Sequence, residues 1–304
     1  MADLPRGLIA PNLTPYGDDL TVATDLYIAH AERLLGEGCA GLAPFGTTGE
    51  ALSVGLDERI DALGALISAG VPAGRLVPGT GLTNLPDTIR LSRACLELGC
   101  AGVMVLPPFY YKSVSDDGLH AYFEALVAAL GPEATICLYH IPAVAGVGLP
   151  LPLVARLARD FPQIAAIKDS SGEEHNLAEL LGIPGLAVYP GSELMAPQGI
   201  AGGAAGCISA SANVNAPMLA EFVQRLADAP AEGFADPELE TRVRAVRLAL
   251  QAAGPIPAQK RLLALGSGDA RWANVRPPLV AMPEAAGREL AAELAPYLAL
   301  DLAA

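Results

Sequence analysis

Gln163-Ile164-Ala165-Ala166-Ile167-Lys168-Asp169-Ser170-Ser171 is the stretch of this chain that decides its fold. Four apolar residues in a row read as a strand covered on both faces, as in a parallel sheet. A lysine directly after such a run must be desolvated or reach a cavity. Lysine is scarce here: Lys112, Lys168 and Lys260 are the only three among 19 basic residues, so it is not serving as surface filler. Desolvation favours a neutral amine, the nucleophile that forms a Schiff base with a ketone or aldehyde. The plainer alternative is a lysine snorkelling from a strand end to water.

Working outward, similar short apolar runs recur at residues 7–13, 40–45, 75–80, 102–106, 135–140, 186–191 and 205–209. Amphipathic segments lie between them, including residues 25–35, 56–68, 85–98, 118–130 and 153–159. Eight strands alternating with helices predict an α/β chain folded as a (β/α)8 TIM barrel. A doubly wound sheet is the rival, but no Gly-x-Gly-x-x-Gly turn follows the first strand. After Ser211 only helical patterns remain, at 217–227, 237–253, 257–265 and 283–297, several opened by proline. The expected organisation is a barrel over residues 1–211 and a helical extension over 212–304, in one compact unit.

With 304 residues, 52% of them hydrophobic, the chain can bury one large core. A formal charge of −14 disfavours nucleic-acid backbones and anionic membrane surfaces as partners. The first six residues, Met1 to Arg6, lack a basic region followed by an apolar core, and residues 194–220, though uncharged, are too rich in Gly, Ser and Asn to span a bilayer. Cys39, Cys95, Cys100, Cys137 and Cys207 form no metal or redox pair motif, so buried free thiols in the cytoplasm are expected.

Barrels of this kind place their chemistry at the C-terminal ends of the strands. The second strand exits into Gly46-Thr47-Thr48-Gly49-Glu50, a loop able to offer amides and two hydroxyls to a carboxylate, or else an ordinary turn with a capping threonine. The fourth exits into Pro107-Pro108-Phe109-Tyr110-Tyr111-Lys112, and the fifth into Tyr139-His140-Ile141-Pro142. Tyr139 there can carry a proton or simply pack with its hydroxyl at the rim. The seventh gives Tyr189-Pro190-Gly191-Ser192-Glu193, and the eighth gives Cys207-Ile208-Ser209 followed by Ala210-Ser211-Ala212-Asn213. A nucleophilic amine, a phenol and a hydroxyl-lined loop together fit a Schiff-base enzyme acting on keto acids.

GTTGE at 46–50, PPFYYK at 107–112, YHIP at 139–142, IKDSSG at 167–172 and GCISASAN at 206–213 resemble the dihydrodipicolinate synthase / N-acetylneuraminate lyase family, class I aldolases. The resemblance runs from about Gly7 to Leu279. It implies that Lys168 forms an imine with pyruvate or another 2-keto acid and that Tyr139 moves the proton. It further implies that Thr47 and Thr48 hold the keto-acid carboxylate, and that Tyr111 crosses a tight dimer interface into the partner's site. Gly191, Glu193, Ile208 and Ser209 are the remaining candidate substrate contacts. The implied partners are pyruvate and an aldehyde or sugar acid, with no cofactor or metal, in a homodimer or dimer-of-dimers tetramer.

Departures from the family pattern bear on the substrate. The synthases carry an arginine two residues beyond the proline of their Tyr-Asn-x-Pro motif, to receive the second substrate's carboxylate; here the position is Val144. An apolar side chain cannot replace a bidentate guanidinium. His140 stands where asparagine is usual, either as a lyase-like feature or as a packed strand-end imidazole, and Leu194 occupies a position acidic in sialic-acid lyases. Aldol cleavage or condensation, dehydration of a 2-keto-3-deoxy sugar acid, and 4-hydroxy-tetrahydrodipicolinate synthesis all remain open. A metal-dependent aldolase is disfavoured, since of His30, His120, His140 and His175 only His140 lies at a strand exit. A catalytically silent sugar-acid-binding barrel would not need Lys168.

Overall fold

A computed structural model of the chain describes residues 4–229 and 236–298. Among them, seven parallel strands form two sheets: β1 (Gly7–Ala10), β2 (Gly41–Leu42), β3 (Val103–Val105), β4 (Ile136–His140), β5 (Ile164–Asp169), β6 (Ala187–Pro190) and β7 (Gly206–Ile208). One sheet runs β2-β1-β7 and the other β3-β4-β5-β6.

The run at 75–80 was expected to be a strand and is instead a stave held by isolated parallel bridges, Leu76 to Leu42 and Gly79 to Met104. Proline is the reason. Pro44 and Pro78 have no N–H, so a continuous ladder cannot form through them. The remaining amides still pair: Val77 N donates to Leu42 O at 2.9 Å and Met104 N to Pro78 O at 2.8 Å. On the other side, Ala205 N donates to Val188 O at 2.9 Å and joins the sheets again. Eight staves therefore close a barrel with a helical extension, as the sequence pattern predicts.

Side chains alternate along the staves. Ile9, Met104, Cys137, Tyr139, Ala166, Tyr189 and Ile208 fill the lumen, whereas Leu8, Val105, Leu138, Ile167 and Val188 point outward beneath the helices. The helices follow their apolar spacing. In Leu151–Asp160, Leu153, Val154 and Leu157 face the barrel, each worth about 1.5–3 kcal/mol of burial. The helix Ala212–Ala227 is broken at Asn215, two residues before Pro217, so its regular part begins at the expected proline. Three further helices, Pro237–Ala252, Pro255–Ser267 and Glu284–Leu294, follow it.

All five cysteines are buried free thiols. Among the described residues, no helix is long and apolar enough to cross a membrane.

Candidate active site

Tyr139 and Lys168 are paired directly across β4 and β5, and Tyr189 pairs with Lys168 across β5 and β6. With strand alternation this brings all three into the lumen in one layer. Lys168 is 4% exposed, and its Nζ lies 4.3 Å from the centre of the Tyr139 ring. The Tyr139 hydroxyl is 3.2 Å from Thr47 Oγ1, within hydrogen-bond distance. Amine, phenol and threonine hydroxyl thus lie in sequence from the barrel centre to the loop after β2. Tyr189 faces the other way, its hydroxyl donating to Pro5 O at 3.0 Å, and forms part of the floor.

The loop bearing Thr47 and Thr48 is rigid for identifiable reasons. Phe45 and Glu50 each take a left-handed φ of 55°, which costs energy in a residue with a side chain. Glu50 N donates to Thr47 O and Ala51 N to Gly46 O, both at 3.2 Å, and Thr14 Oγ1 fixes Gly49 O at 2.8 Å. Gly79 passes so close beneath that a Cβ there would lie 2.2 Å from the Phe45 carbonyl oxygen. Glu50 is buried and forms an ion pair with the fully buried Lys260 of helix Pro255–Ser267. Burial pushes the Lys260 ammonium down to about 8, and the Glu50 charge opposes that shift. Lys260 Nζ also donates to Asn274 O at 2.9 Å and lies 4.2 Å from the Tyr16 ring centre.

A cavity of about 470 Å³ opens above Lys168. Thr47, Thr48, Tyr139, Lys168, Gly191 and Ile208 line it. Gly191 is dictated by space, since a Cβ there would lie 1.9 Å from Ser170 Oγ.

Glu193 and Ser209, expected to touch substrate, do not line the cavity. The turn after β6 winds into a short 3-10 helix, Glu193–Met195, which buries the Glu193 carboxylate. There it accepts hydrogen bonds from the Ser209 and Ser211 hydroxyls. Ser211 lines the cavity in place of Ser209. His140 is packed outside the lumen, its Nδ1 accepting from Leu149 N at 2.9 Å. Burial pushes its imidazole below the usual histidine range, against the opposing charges of Asp169 and Glu173.

Tyr111 does not reach the cavity of its own chain. Tyr110 and Tyr111 are each 73% exposed and stacked edge to face at 5.5 Å. Lys112 holds their loop by donating to Phe109 O and, at 2.8 Å, to Ala145 O, so it is a tie between two loops. Val144, beside that tie, lies exposed at the mouth of the cavity.

Sequence reasoning missed the C-terminal helices' share of the site. Arg247, Leu250, Gln251, Ile256 and Gln259 all line the cavity. Only their period-3.6 spacing was visible beforehand, and it does not say which barrel end a helix covers. Asn213, noticed as the end of a motif, is a structural hub: its Oδ1 accepts from Leu13 N at 2.9 Å and from His30 Nε2 at 2.8 Å, and its Nδ2 donates to Pro11 O.

A buried amine against a phenol that is itself tied to a threonine can add to a carbonyl and relay a proton. The chain is similar to proteins of known sequence and structure. Residues 4–296 match the Dihydrodipicolinate synthetase family. An uncharacterized DapA-like lyase of Chloroflexus aurantiacus is 36% identical over 296 residues, 96% of either chain. A 4-hydroxy-tetrahydrodipicolinate synthase of Sorangium cellulosum is 33% identical over 300 residues, again 96% of each. The crystal structure of a dihydrodipicolinate synthase from Agrobacterium tumefaciens is similar with a TM-score of 0.86 at 36% identity, covering 96% of this chain and 99% of that one.

Proposed function

This chain belongs to the dihydrodipicolinate synthetase family and is a lyase of that family, and we propose that it cleaves or builds a 2-keto acid through an imine on Lys168. The observation that carries the assignment is the alignment of Lys168 Nζ, 4.3 Å from the Tyr139 ring, with the Tyr139 hydroxyl, 3.2 Å from Thr47. The amine adds to the keto carbon, and the keto oxygen leaves as water. The protonated imine then draws electrons from the neighbouring carbon, so a C–H bond or the bond to an aldehyde carbon can break. Tyr139 carries protons to and from the substrate oxygens, with Thr47 holding its hydroxyl. Thr47 and Thr48 receive the keto-acid carboxylate, while Gly191 and Ile208 bound the substrate.

The aldehyde-side partner is an aldehyde or sugar acid other than aspartate semialdehyde. Val144 supports this, since the mouth after β4 offers an apolar side chain where a guanidinium would hold that carboxylate. The active form is a homodimer, or a tetramer built from it, in which Tyr111 of one protomer completes its partner's site. Exposed Tyr110, Tyr111 and Leu52 support burial against a second copy. Buried free thiols fit a cytoplasmic enzyme.

Incubation with pyruvate and borohydride tests the imine. The expected result is one pyruvate-derived adduct per chain on Lys168, abolished in Lys168→Ala. An unlabelled protein, or a label that survives the substitution, defeats the assignment.

A further inference from the structure

We infer that Arg247 makes this site selective for a 2-keto acid bearing a second, distal carboxylate; the inference rests on the Lys168 imine and deepens it. Arg247 lies on the helix Pro237–Ala252, which packs against the 3-10 turn Glu193–Met195, and it lines the cavity with Ser192, Ser211 and Gln251. Gln251 follows it by one helical turn and so shares its face.

Arg247 is ion-paired with buried Glu193, but its N–H donors are poorly matched within the protein. Its Nη1 lies 3.6 Å from Glu193 Oε2, too far for a hydrogen bond, and that carboxylate already accepts from two serine hydroxyls. Its Nε is buried without a partner. Arg276, by contrast, grips Glu58 at 2.6 and 2.8 Å and donates to two backbone carbonyls. Arg271 is held by both Asp25 and Asp269. A guanidinium at the wall of a cavity whose N–H donors are left unfilled is a site for a carboxylate acceptor.

The anion is a second one, because the 2-keto carboxylate belongs to the Thr47–Thr48 loop. It is a monoanion. Arg247 already has Glu193 beside it, and the other cation lining this cavity among the described residues, Lys168, keeps its charge as the protonated imine beside the 2-keto carboxylate. A phosphate dianion would add two negative charges beside Glu193, whereas a carboxylate adds one and can still accept from the unfilled N–H donors. The direction is set by topology. Val144 follows β4, Lys168 lies on β5, and Ser192 and Ser211 follow β6 and β7. The carboxylate tail therefore runs from Lys168 toward the β6–β7 side, away from the mouth at Val144.

Borohydride trapping reads this without requiring turnover. Half-saturating concentrations are measured for pyruvate, for 2-oxoglutarate against 2-oxopentanoate, and for 2-oxoadipate against 2-oxohexanoate. The wild type should favour at least one diacid over its monoacid by about 10- to 100-fold, the usual worth of a charged hydrogen bond. Arg247→Met should erase that preference and Arg247→Lys keep part of it, each diacid being read against its own monoacid within the same variant. A wild type that traps pyruvate yet favours neither diacid overturns the inference, as does a preference that survives in Arg247→Met. If the wild type traps no keto acid at all, the imine itself is wrong and this inference falls with it.

Discussion

Glu50 and Lys260, distant in sequence, form an ion pair from which solvent is excluded, and it binds the loop of Thr47 and Thr48 to the C-terminal helices. Removing one partner of such a pair strands the other charge, at a cost of about 3–5 kcal/mol. Lys260→Met should therefore lower the urea midpoint strongly. Replacing both, as Glu50→Gln with Lys260→Met, should recover part of the loss. A single variant no less stable than the double one would refute the pairing.

Tyr139→Phe removes only the hydroxyl that meets Thr47, leaving the ring beside Lys168 in place. Turnover should fall by roughly 10²–10⁴-fold, the range for a positioned acid–base group. Adduct formation with pyruvate and borohydride should persist, more slowly. Near-wild-type turnover would show that another group moves the proton.

Gly191→Ala forces a methyl group against Ser170 Oγ, 1.9 Å from the ideal Cβ. The loop after β6 must shift, and turnover should fall. Ser170→Gly in the same chain should restore part of the activity, because the clash needs both side chains. Equal losses in the single and double variants would mean that Asp169 O, 3.0 Å from the same Cβ, dominates.

His30 supplies a pH dependence. Its Nε2 is 2.8 Å from Asn213 Oδ1 and its Nδ1 is 3.2 Å from Arg33 Nη2, so the ring donates at one nitrogen and accepts at the other. Burial, and then the charge of Arg33, push the imidazole down to about 3 from its ordinary 6.5. The unfolded chain therefore binds a proton more readily between those values. This group's contribution to stability is full above about pH 6.5 and declines as pH falls toward 3, by up to about 1.4 kcal/mol per pH unit. In His30→Gln, thermal unfolding should lose that part of its acid sensitivity; an unchanged slope between wild type and variant would count against it.

The barrel was legible because its staves are apolar runs of strand length, and Lys168 and Tyr139 were legible because strand ends point to chemistry. What was not legible depends on long-range placement or on backbone detail. Pro78 turned an expected strand into a bridged stave. Glu193 lies in a turn whose winding, invisible in sequence, drew its carboxylate inward to Ser209 and Ser211. Arg247 read as one arginine among several on an amphipathic helix, and only tertiary packing set it beside Ser192.

Lys168 and Tyr139 belong to the barrel staves, while Arg247, Gln251 and Gln259 reach the same cavity from helices that follow it. In the proposed mechanism, bond-making and tail recognition are thus encoded in separate stretches of the polypeptide. Substitutions on Pro237–Ala252 and Pro255–Ser267 can alter which molecule is accepted without disturbing Lys168, provided Lys260 is kept. One lysine-bearing scaffold can in this way inherit new substrates by drift in its last third alone.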